Sequence, residues 1–445
     1  MKTKGVFLAI IIMLSITESV LAQPNWSSIK SLTTPSVSIP AEFGTPYLQP
    51  LAVGGWEDGI FITRDGLNLY CFYTPVDLLS WQFIGGANNA NFSPYSRGPQ
   101  FGMDLTTPPF VGPTEWLQSD ILISQRTNTS TPFPTWQLSN LARSVWGEGA
   151  PQINSNTATT ADLFAIVAQT TYSPYSNDIL LYYGSSLNPS FSLSPLPANV
   201  NTTAKEDNPH IERLSPNDLV LFFDSDDRPG GVGQLDLWYT TSPDNGMTWT
   251  NPQQVSSINT ANGEQQPHLF NNGTDWYLYF TGTNTVSGKT EIYRAKQNFS
   301  GNWNSWTNIE SVVGVGNAFA VGEPSLTQNG DLSFVVIYSD TVNGTSTDKY
   351  DADPWILPKL STVSVAENLD VMSSFAFYPN PANTELTLSI YPNDKCEISI
   401  SNLHGQLLIK KQNQNHIDIS SLTNGIYIMT ITQGQNKYTQ KFIKE

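Results

Sequence analysis

Cysteine is scarce in this sequence, which contains only Cys71 and Cys396 among its 445 residues. The two lie far apart, in segments that we assign below to different domains, and we expect both to be buried free thiols. No Cys-based metal motif is present. The fold must therefore be stabilised by an apolar core, for which a chain of this length has enough residues.

Charged residues are also few, at 13% of the chain, and basic ones are fewest. With 21 Lys and Arg against 38 Asp and Glu, the formal net charge is −17. An acidic surface argues against nucleic acids and anionic membranes as partners. It fits a secreted protein that self-repulsion keeps soluble, or one that binds cations or neutral sugars.

Several catalytic signatures are missing. The sequence has no phosphate-binding glycine loop, no nucleophile elbow and no His-Glu-x-x-His motif. After the N-terminus it also lacks a long amphipathic helical pattern, and it is rich in Tyr, Phe, Trp, Thr and Asn. Such a composition favours strands and turns, so we predict an all-β fold.

The first residues, "MKTKGVFLAIIIMLSITESVLA", have a basic start, a short apolar run and small residues before Ala22. This pattern predicts a secretory signal peptide over residues 1–22, with an uncleaved anchor as the alternative. No other apolar run approaches the length of a membrane span. We therefore expect a mature protein that has no transmembrane segment and is soluble or held at a surface.

A repeated segment dominates the rest of the chain. Each copy begins with an acidic residue, a turn and an alternating apolar strand, and the copies open at Glu57, Glu148, Glu206, Glu264 and Glu323. The last three intervals are 58, 58 and 59 residues, and the first is 91. The excess in the first copy coincides with a Gly-, Pro- and Asn-rich stretch at about 85–116, which predicts a long loop.

Each unit carries signals for four short strands separated by Gly, Asn, Pro and Asp turns, which is typical of a propeller blade. We predict a five-bladed β-propeller over residues 23–358. The fifth unit lacks its own fourth strand. Because "NWSSIKSLTTP", from Asn25, is similar to "TWTNPQQVSSINT", from Thr248, we expect a strand that begins at Trp26 to close the ring.

Two stretches of the third unit carry a resemblance. "DNPHIERLSPNDLVLFFDSDDRPGGVGQLDLWY" resembles the TolB-type propeller repeat, and "SPDNGMTW", at 242–249, resembles the Asp-box of sialidases and other propellers. The Asp-box folds a hairpin and lies away from the catalytic centre in the families that carry it. Sialidases also use an arginine cluster and an Arg-Ile-Pro start. The seven arginines of this propeller include no Arg-Ile-Pro start, so sialidase chemistry is the less favoured alternative.

The C-terminal residues carry a second resemblance. "FAFYPNPANTELTLSI", "CEISISNLHGQLL", "IDISSLTNGIYIMTI" and a final Lys-rich strand resemble the C-terminal sorting domain of type IX secretion substrates of the Bacteroidetes. The resemblance implies an Ig-like β-sandwich over residues 374–445, after a linker at 359–373, that an outer-membrane translocon recognises. It places the protein outside the cell or on the outer-membrane surface of a Gram-negative bacterium.

The first strand of a propeller blade lines the central channel, so we expect the repeated carboxylates to form a ring there. Candidate binding residues are Trp56, Glu148, His210, His268 and Glu323. His210 and His268 occupy equivalent places in adjacent units and could hold Zn²⁺, and the carboxylates could hold Ca²⁺. The alternative is that each Glu ties its own blade to a neighbour through backbone N–H groups.

Catalysis is the competing hypothesis. Five-bladed glycosidases similar to arabinanases place an acid and a base on inner strands around the channel. The corresponding candidates here are Glu57 or Asp58 as base and Glu206 or Glu264 as acid. Trp56 could stack on a sugar ring, as could Trp81 and Trp116. We expect a secreted propeller that binds an extracellular glycan or protein, with a glycoside hydrolase as the alternative.

Overall fold

The computed structural model describes residues 24–75, 77–79, 99, 101, 119–141, 148–153, 163–171, 176–183, 194–340, 349–360, 377–388, 396–402, 405–433 and 436–445. The predicted signal peptide lies outside the described residues, as does most of the stretch at 85–116. The chain divides into two compact units, the first ending at Leu360 and the second beginning at Ser361.

Five groups of antiparallel strands, called sheets below, build the first unit, and a parallel pair, Ala352 with Trp56, joins the fifth and the first into one continuous sheet. After helix α1 (Trp26–Leu32) and the short strands β1 (Ser36–Val37) and β2 (Tyr47–Leu48), the chain forms these sheets one after another. The first contains β3 (Trp56–Ile62), β4 (Asn68–Thr74), β5 (Asp120–Gln125) and β6 (Gln137–Leu138). The second contains β7 (Glu148–Ile153), β8 (Leu163–Thr171), β9 (Ser176–Tyr183) and β10 (Ser194–Pro195).

The remaining three sheets follow in the same way. The third contains β11 (Lys205–Arg213), β12 (Leu219–Asp226), β13 (Leu235–Ser242) and β14 (Gln253–Gln254). The fourth contains β15 (Glu264–Asn271), β16 (Trp276–Thr283), β17 (Thr290–Gln297) and β18 (Trp306–Gly314). The fifth contains β19 (Ala320–Leu326), β20 (Leu332–Ser339) and β21 (Tyr350–Leu357).

The first strands of these sheets form a ring. β3, β7, β11, β15 and β19 contact one another in that order, and β19 returns to β3. Each of five apolar clusters joins residues from two consecutive sheets, as where Phe222 of β12 lies with Leu278 of β16. Because a sheet with two apolar faces is stable only between neighbours, this arrangement is a five-bladed β-propeller, as predicted.

The N-terminal segment closes the ring, but not with the residues that we expected. Strand β2 pairs with β21, Tyr47 opposite Ile356, and completes the fifth blade, whereas β1 adds a fifth strand to the fourth blade. The prediction of a strand at Trp26 is wrong. Trp26 begins a helix because the Asn25 side chain accepts a hydrogen bond from the Ser28 N–H, which caps that helix.

The stretch "SPDNGMTW" forms the turn between β13 and β14. The Ser242 hydroxyl accepts from the Gly246 N–H at 2.8 Å, and the Asp244 carboxylate accepts from the Thr248 N–H at 2.8 Å. Gly246 has a φ of 86°, which suits a residue without Cβ. The Trp249 indole N–H donates to the Gly246 carbonyl, so the side chains of Ser242, Asp244 and Trp249 all bond to the backbone of the turn.

The second unit is a two-sheet β-sandwich. One sheet contains β22 (Phe377–Tyr378), β23 (Glu385–Leu388) and β26 (His416–Asp418). The other contains β24 (Cys396–Asn402), β25 (Leu407–Gln412), β27 (Gly425–Gln433) and β28 (Asn436–Lys444). Alternating residues such as Leu386, Ile398 and Phe442 are buried between the sheets. Among the described residues, no helix has the length and apolar character needed to cross a membrane.

Candidate functional site

Each inner strand of the propeller bulges at the same place. Its register with the second strand of the blade shifts between Asp58 and Phe61, Gly149 and Gln152, Asp207 and His210, Gln265 and His268, and Gly322 and Ser325. One residue in every bulge has a left-handed φ of 45° to 58°: Gly59, Ala150, Asn208, Gln266 and Glu323. A bulge of this kind bends the strand and turns its backbone toward the propeller axis.

Proline follows the left-handed residue in four blades. Because proline has no N–H, the backbone at this position has no donor that needs a partner. The first blade has Ile60 instead. Its N–H donates to the Glu323 carboxylate of the fifth blade at 2.9 Å. Glu323 thus supplies the acceptor that the Ile60 N–H requires. The hydrogen bond links the fifth blade to the first, which is its neighbour in the ring.

The five left-handed residues surround a narrow axial cavity. Its volume is about 20 Å³, and its lining includes Gly59, Ala150, Gln152, Asn208, Gln266 and Glu323. That space admits one water molecule or one ion. A sugar ring does not fit on the axis at this level.

Glu323 does not belong to the row of carboxylates in which the sequence analysis placed it. In the first four blades the acidic residue stands two positions before the left-handed residue, as Glu206 does before Asn208. In the fifth blade that place is held by Val321, and Glu323 is itself the left-handed residue. Proline is the better marker for alignment, because Pro324 follows Glu323 directly whereas Pro209 follows Glu206 after two residues.

Three other candidates accept hydrogen bonds from the backbone four residues upstream. Glu57 accepts from the Val53 N–H at 3.0 Å, Glu206 from the Thr202 N–H at 3.0 Å, and Glu264 from the Thr260 N–H at 2.7 Å. The Thr202 and Thr260 hydroxyls donate to the same carboxylates at 2.6 Å. These carboxylates therefore fix the turn that enters each inner strand.

Further partners reinforce this role. The Trp136 indole donates to Glu57 at 2.6 Å, and Arg228 contacts Glu206 at 3.0 Å. Glu148 is buried in the second blade, where its N–H donates to the Ser119 hydroxyl at 2.9 Å. Glu57, Glu206 and Glu264 thus bond within their own blades, whereas the alternative given above joins each Glu to a neighbouring blade.

Asp58 and Glu323 form a carboxyl pair beside the axis. Burial raises the pKa of Glu323 well above its usual range, and the neighbouring Asp58 carboxylate raises it further. Burial also raises the pKa of Asp58, although hydrogen bonds from the Trp56 indole and from Glu323 oppose this. Burial and the Asp58 carboxylate thus both favour the protonated form of Glu323.

His210 and His268 come together, as their equivalent positions suggested. Their ring centroids are 4.4 Å apart, and burial lowers the pKa of both side chains. His268 Nε2 accepts from the Leu326 N–H at 3.1 Å, so this nitrogen is not available to a metal. Among the described residues, no group of three or more His, Cys, Asp or Glu side chains is arranged to hold a metal ion.

Trp56 has no surface for a sugar. It is 1% exposed, and its indole N–H donates to Asp58 at 2.9 Å. Its ring belongs to the apolar cluster between the first and fifth blades. Trp81 and Trp116 lie outside the described residues.

A larger pocket lies off the axis beside Glu264, and we call it the Tyr293 pocket. Its volume is about 350 Å³, and its lining includes Thr260, Asn262, Glu264, Phe280, Asn284, Val286, Tyr293 and Ile309. The rings of Phe280 and Tyr293 stack at 5.9 Å with an interplanar angle of 22°. Hydroxyl and amide side chains stand around this apolar wall, and none of the lining residues is a Lys or Arg.

Of the described residues that line this pocket, Glu264 is the one that the sequence predicted as a site residue. The alternation of β16 and β17 could have indicated that Phe280 and Tyr293 share one face, since they are directly opposite each other. Burial raises the pKa of Glu264, and its hydrogen bonds with Thr260 oppose that effect. A buried carboxyl, an aromatic wall and a polar rim thus meet in a space of ligand size.

Residues 376–445 match the family model described as "Secretion system C-terminal sorting domain". The propeller is followed by a type IX sorting domain, and the protein is secreted or located at the cell surface. No curated protein sequence matches the chain.

Solved structures with similarity to the chain include a thermostable family-43 glycoside hydrolase, at 11% identity and a TM-score of 0.44 over 71% of this chain and 92% of that one. A protein of unknown function from Dyadobacter fermentans DSM 18053 has 10% identity and a TM-score of 0.42 over 72% and 99%. A GH43_1 enzyme from Xanthomonas citri has 10% identity and a TM-score of 0.43 over 76% and 93%.

Proposed function

We propose that the propeller binds an extracellular glycan in the Tyr293 pocket and does not turn it over. The pocket has the size of a small-ligand site, and Tyr293 offers a ring face to the apolar face of a sugar. The exposed Asn262 amide stands at the rim of the pocket, where it can bond to sugar hydroxyls. With a Glu and no cation in its lining, the pocket fits a neutral sugar better than an anionic one.

The observation that carries this proposal is that the repeated carboxylates Glu206 and Glu264 are already engaged in hydrogen bonds to the protein, which supports binding over catalysis. Both oxygens of Glu264 accept hydrogen bonds from Thr260, at 2.7 and 2.6 Å. Glu206 is held in the same way by Thr202. A general acid has to direct its proton at the substrate, whereas these groups serve the turn before their strand.

The test is a glycan array on the secreted protein, followed by calorimetric titration of each hit. We expect Tyr293→Ala to weaken binding at least tenfold, because it removes the stacking surface. Tyr239→Ala is the control, since Tyr239 is a partly buried tyrosine of the third blade that does not line the pocket. If Tyr293→Ala binds as the parent does, or if the control loses binding equally, the assignment of the pocket is wrong.

A glycoside hydrolase is the second candidate function. One observation favours it, because Glu264 has a raised pKa and lines a sugar-sized pocket, as a general acid must. A panel of chromogenic glycosides distinguishes the two functions. If the protein cleaves a chromogenic glycoside and Glu264→Gln or Glu206→Gln abolishes that activity, catalysis replaces binding as the proposed function.

Two finer assignments belong with this proposal. We infer that the translocon recognises residues 374–445, which the match of 376–445 to a sorting-domain family supports. We also infer that residues 242–249 are an Asp-box in the structural sense, which the hydrogen bonds of Ser242 and Asp244 support. In that position the motif shapes a turn and takes no part in chemistry.

A further inference from the structure

A second off-axis pocket lies at the other end of the β15–β16 hairpin, and we call it the Lys359 pocket. Its volume is about 270 Å³, and its lining includes Glu42, Phe43, Phe270, Asn272, Tyr277, Tyr279, Arg294, Gln328, Asn329 and Lys359. The Tyr293 pocket uses the beginning of β15 and the end of β16. The Lys359 pocket uses the end of β15 and the beginning of β16, so the two are separate sites.

The Lys359 pocket contains two cations in a protein whose formal net charge is −17. Arg294 is fixed by Glu42, whose carboxylate accepts from both terminal nitrogens at 2.6 and 2.7 Å, and by Glu310 at 2.9 Å. The hydrogen bond from Arg294 lowers the pKa of Glu42 to about 2. Glu42 therefore stays ionised and pairs with the Arg294 guanidinium. The paired Arg294 forms part of the wall of the pocket.

Lys359 shares Glu42 with Arg294, but its ammonium group has donors left for a ligand. Its ammonium group contacts Glu42 and lies 4.9 Å from the centroid of the Phe43 ring. An ammonium group has three N–H donors, and among the described residues Glu42 is the acceptor that bonds to it. The Lys359 side chain is 28% exposed, so its other donors can reach a ligand.

The rest of the lining suits a sugar. The Tyr277 ring is partly buried and lies 5.4 Å from the Arg294 guanidinium, which holds it as a wall. The exposed amides of Asn272, Gln328 and Asn329 stand at the rim, where they can exchange hydrogen bonds with hydroxyl groups.

We propose that the Lys359 pocket binds a uronate, a sugar that carries a carboxylate. Lys359 pairs with the carboxylate, Tyr277 contacts the apolar face of the ring, and Gln328 and Asn329 bond to its hydroxyls. This site is independent of the Tyr293 pocket and goes beyond the function proposed for it. Together the two pockets would let one propeller hold a neutral and an acidic residue of the same extracellular polysaccharide, or of two different ones.

The test uses isothermal titration of the full chain with oligosaccharides of galacturonate and glucuronate, and with neutral galactose and glucose oligomers of equal length. We expect the uronates to bind at least tenfold more tightly than the neutral oligomers at this site. Lys359→Met should weaken uronate binding at least tenfold, and Lys359→Arg should retain most of it. Tyr277→Ala should weaken it as well.

Lys296→Met is the matched control, because Lys296 lies on the same strand as Arg294 but pairs with Asp275 outside the pocket. Tyr293→Ala separates the two proposals, since it should leave uronate binding unchanged even where it abolishes binding of the neutral glycan. The proposal is wrong if uronates do not bind at millimolar concentration or bind no better than neutral oligomers. It is equally wrong if Lys359→Met behaves like the control in a variant that circular dichroism shows to be folded.

Discussion

At the scale of single residues, the position of a carboxyl group relative to the bulge decides what it does. Glu206 and Glu264 stand two residues before the left-handed position and bond to the turn behind them. Glu323 stands on that position and reaches a neighbouring blade. A shift of two residues along one strand therefore changes a turn-fixing group into a group that links blades.

Asp224 gives a prediction at this scale. It is completely buried, and its carboxylate accepts from the Gln266 N–H at 2.7 Å and from the Asn208 amide at 2.9 Å. Burial raises its pKa to about 7, and the nearby Asp207 carboxylate contributes. The unfolded chain loses this proton near pH 4, so between about pH 4 and 7 the folded state binds more protons than the unfolded state.

The stability that comes from this group is complete below about pH 4 and is lost as the pH rises through about 7. Asp224→Asn should therefore flatten the fall of the free energy of unfolding over that interval. Urea denaturation at several pH values measures the effect, with the exposed Asp218→Asn as control. If the free energy of unfolding of the parent protein and of the variant falls in parallel as the pH rises, the raised pKa of Asp224 is contradicted.

At the scale of secondary-structure elements, the N-terminal helix fastens the ring. Lys30 of α1 reaches β21, where its ammonium lies 2.8 Å from one oxygen of Asp353 and 3.0 Å from Asp351. Burial alone would lower the pKa of Lys30, but the charges of Asp353 and Asp351 reverse this and raise it. Glu57 of β3 adjoins Asp353, so the cluster spans the seam between the fifth and first blades.

We expect Lys30→Met to destabilise the propeller by about 3 to 5 kcal/mol, because it leaves buried carboxylates without their cation. Urea denaturation followed by tryptophan fluorescence gives the free energy of unfolding. Lys296→Met is the control, since its ion pair with Asp275 is exposed and should contribute little. Equal effects of the two substitutions would show that the seam does not depend on Lys30.

The bulged inner strands illustrate what local patterns can predict. The recurring proline marks four of the five bulges, and the spacing of the copies predicts the number of blades. The closing strand was harder to predict, because β2 has only two residues, Tyr47 and Leu48. So short a segment carries no periodicity, and its pairing with β21 depends on how the whole ring brings the chain back to its start.

At the scale of the whole molecule, the two units have separate apolar cores. The clusters of the propeller contain residues up to Leu357, and the cluster of the sandwich contains residues from Phe377 onward. We expect a chain that ends at Leu360 to keep the melting temperature of the propeller, because no core residue of that unit is removed.

Differential scanning calorimetry checks this expectation. The full chain should show two transitions, and removal of residues 361–445 should eliminate one of them without moving the other. A propeller transition that shifts by several degrees or disappears would mean that the sandwich supports the propeller.

The sequence by itself determined the all-β fold, the five blades, the sorting domain and the chemistry of turns such as residues 242–249. These features depend on composition and on patterns within a few tens of residues, which the chain carries locally. Only the tertiary structure decided that Asp58 lies beside Glu323, that Lys30 lies against Asp353, and that Tyr293 and Lys359 line separate pockets. Such contacts join residues as far apart as Lys30 and Asp353, 323 positions along the chain, and arise only when the ring of blades has closed.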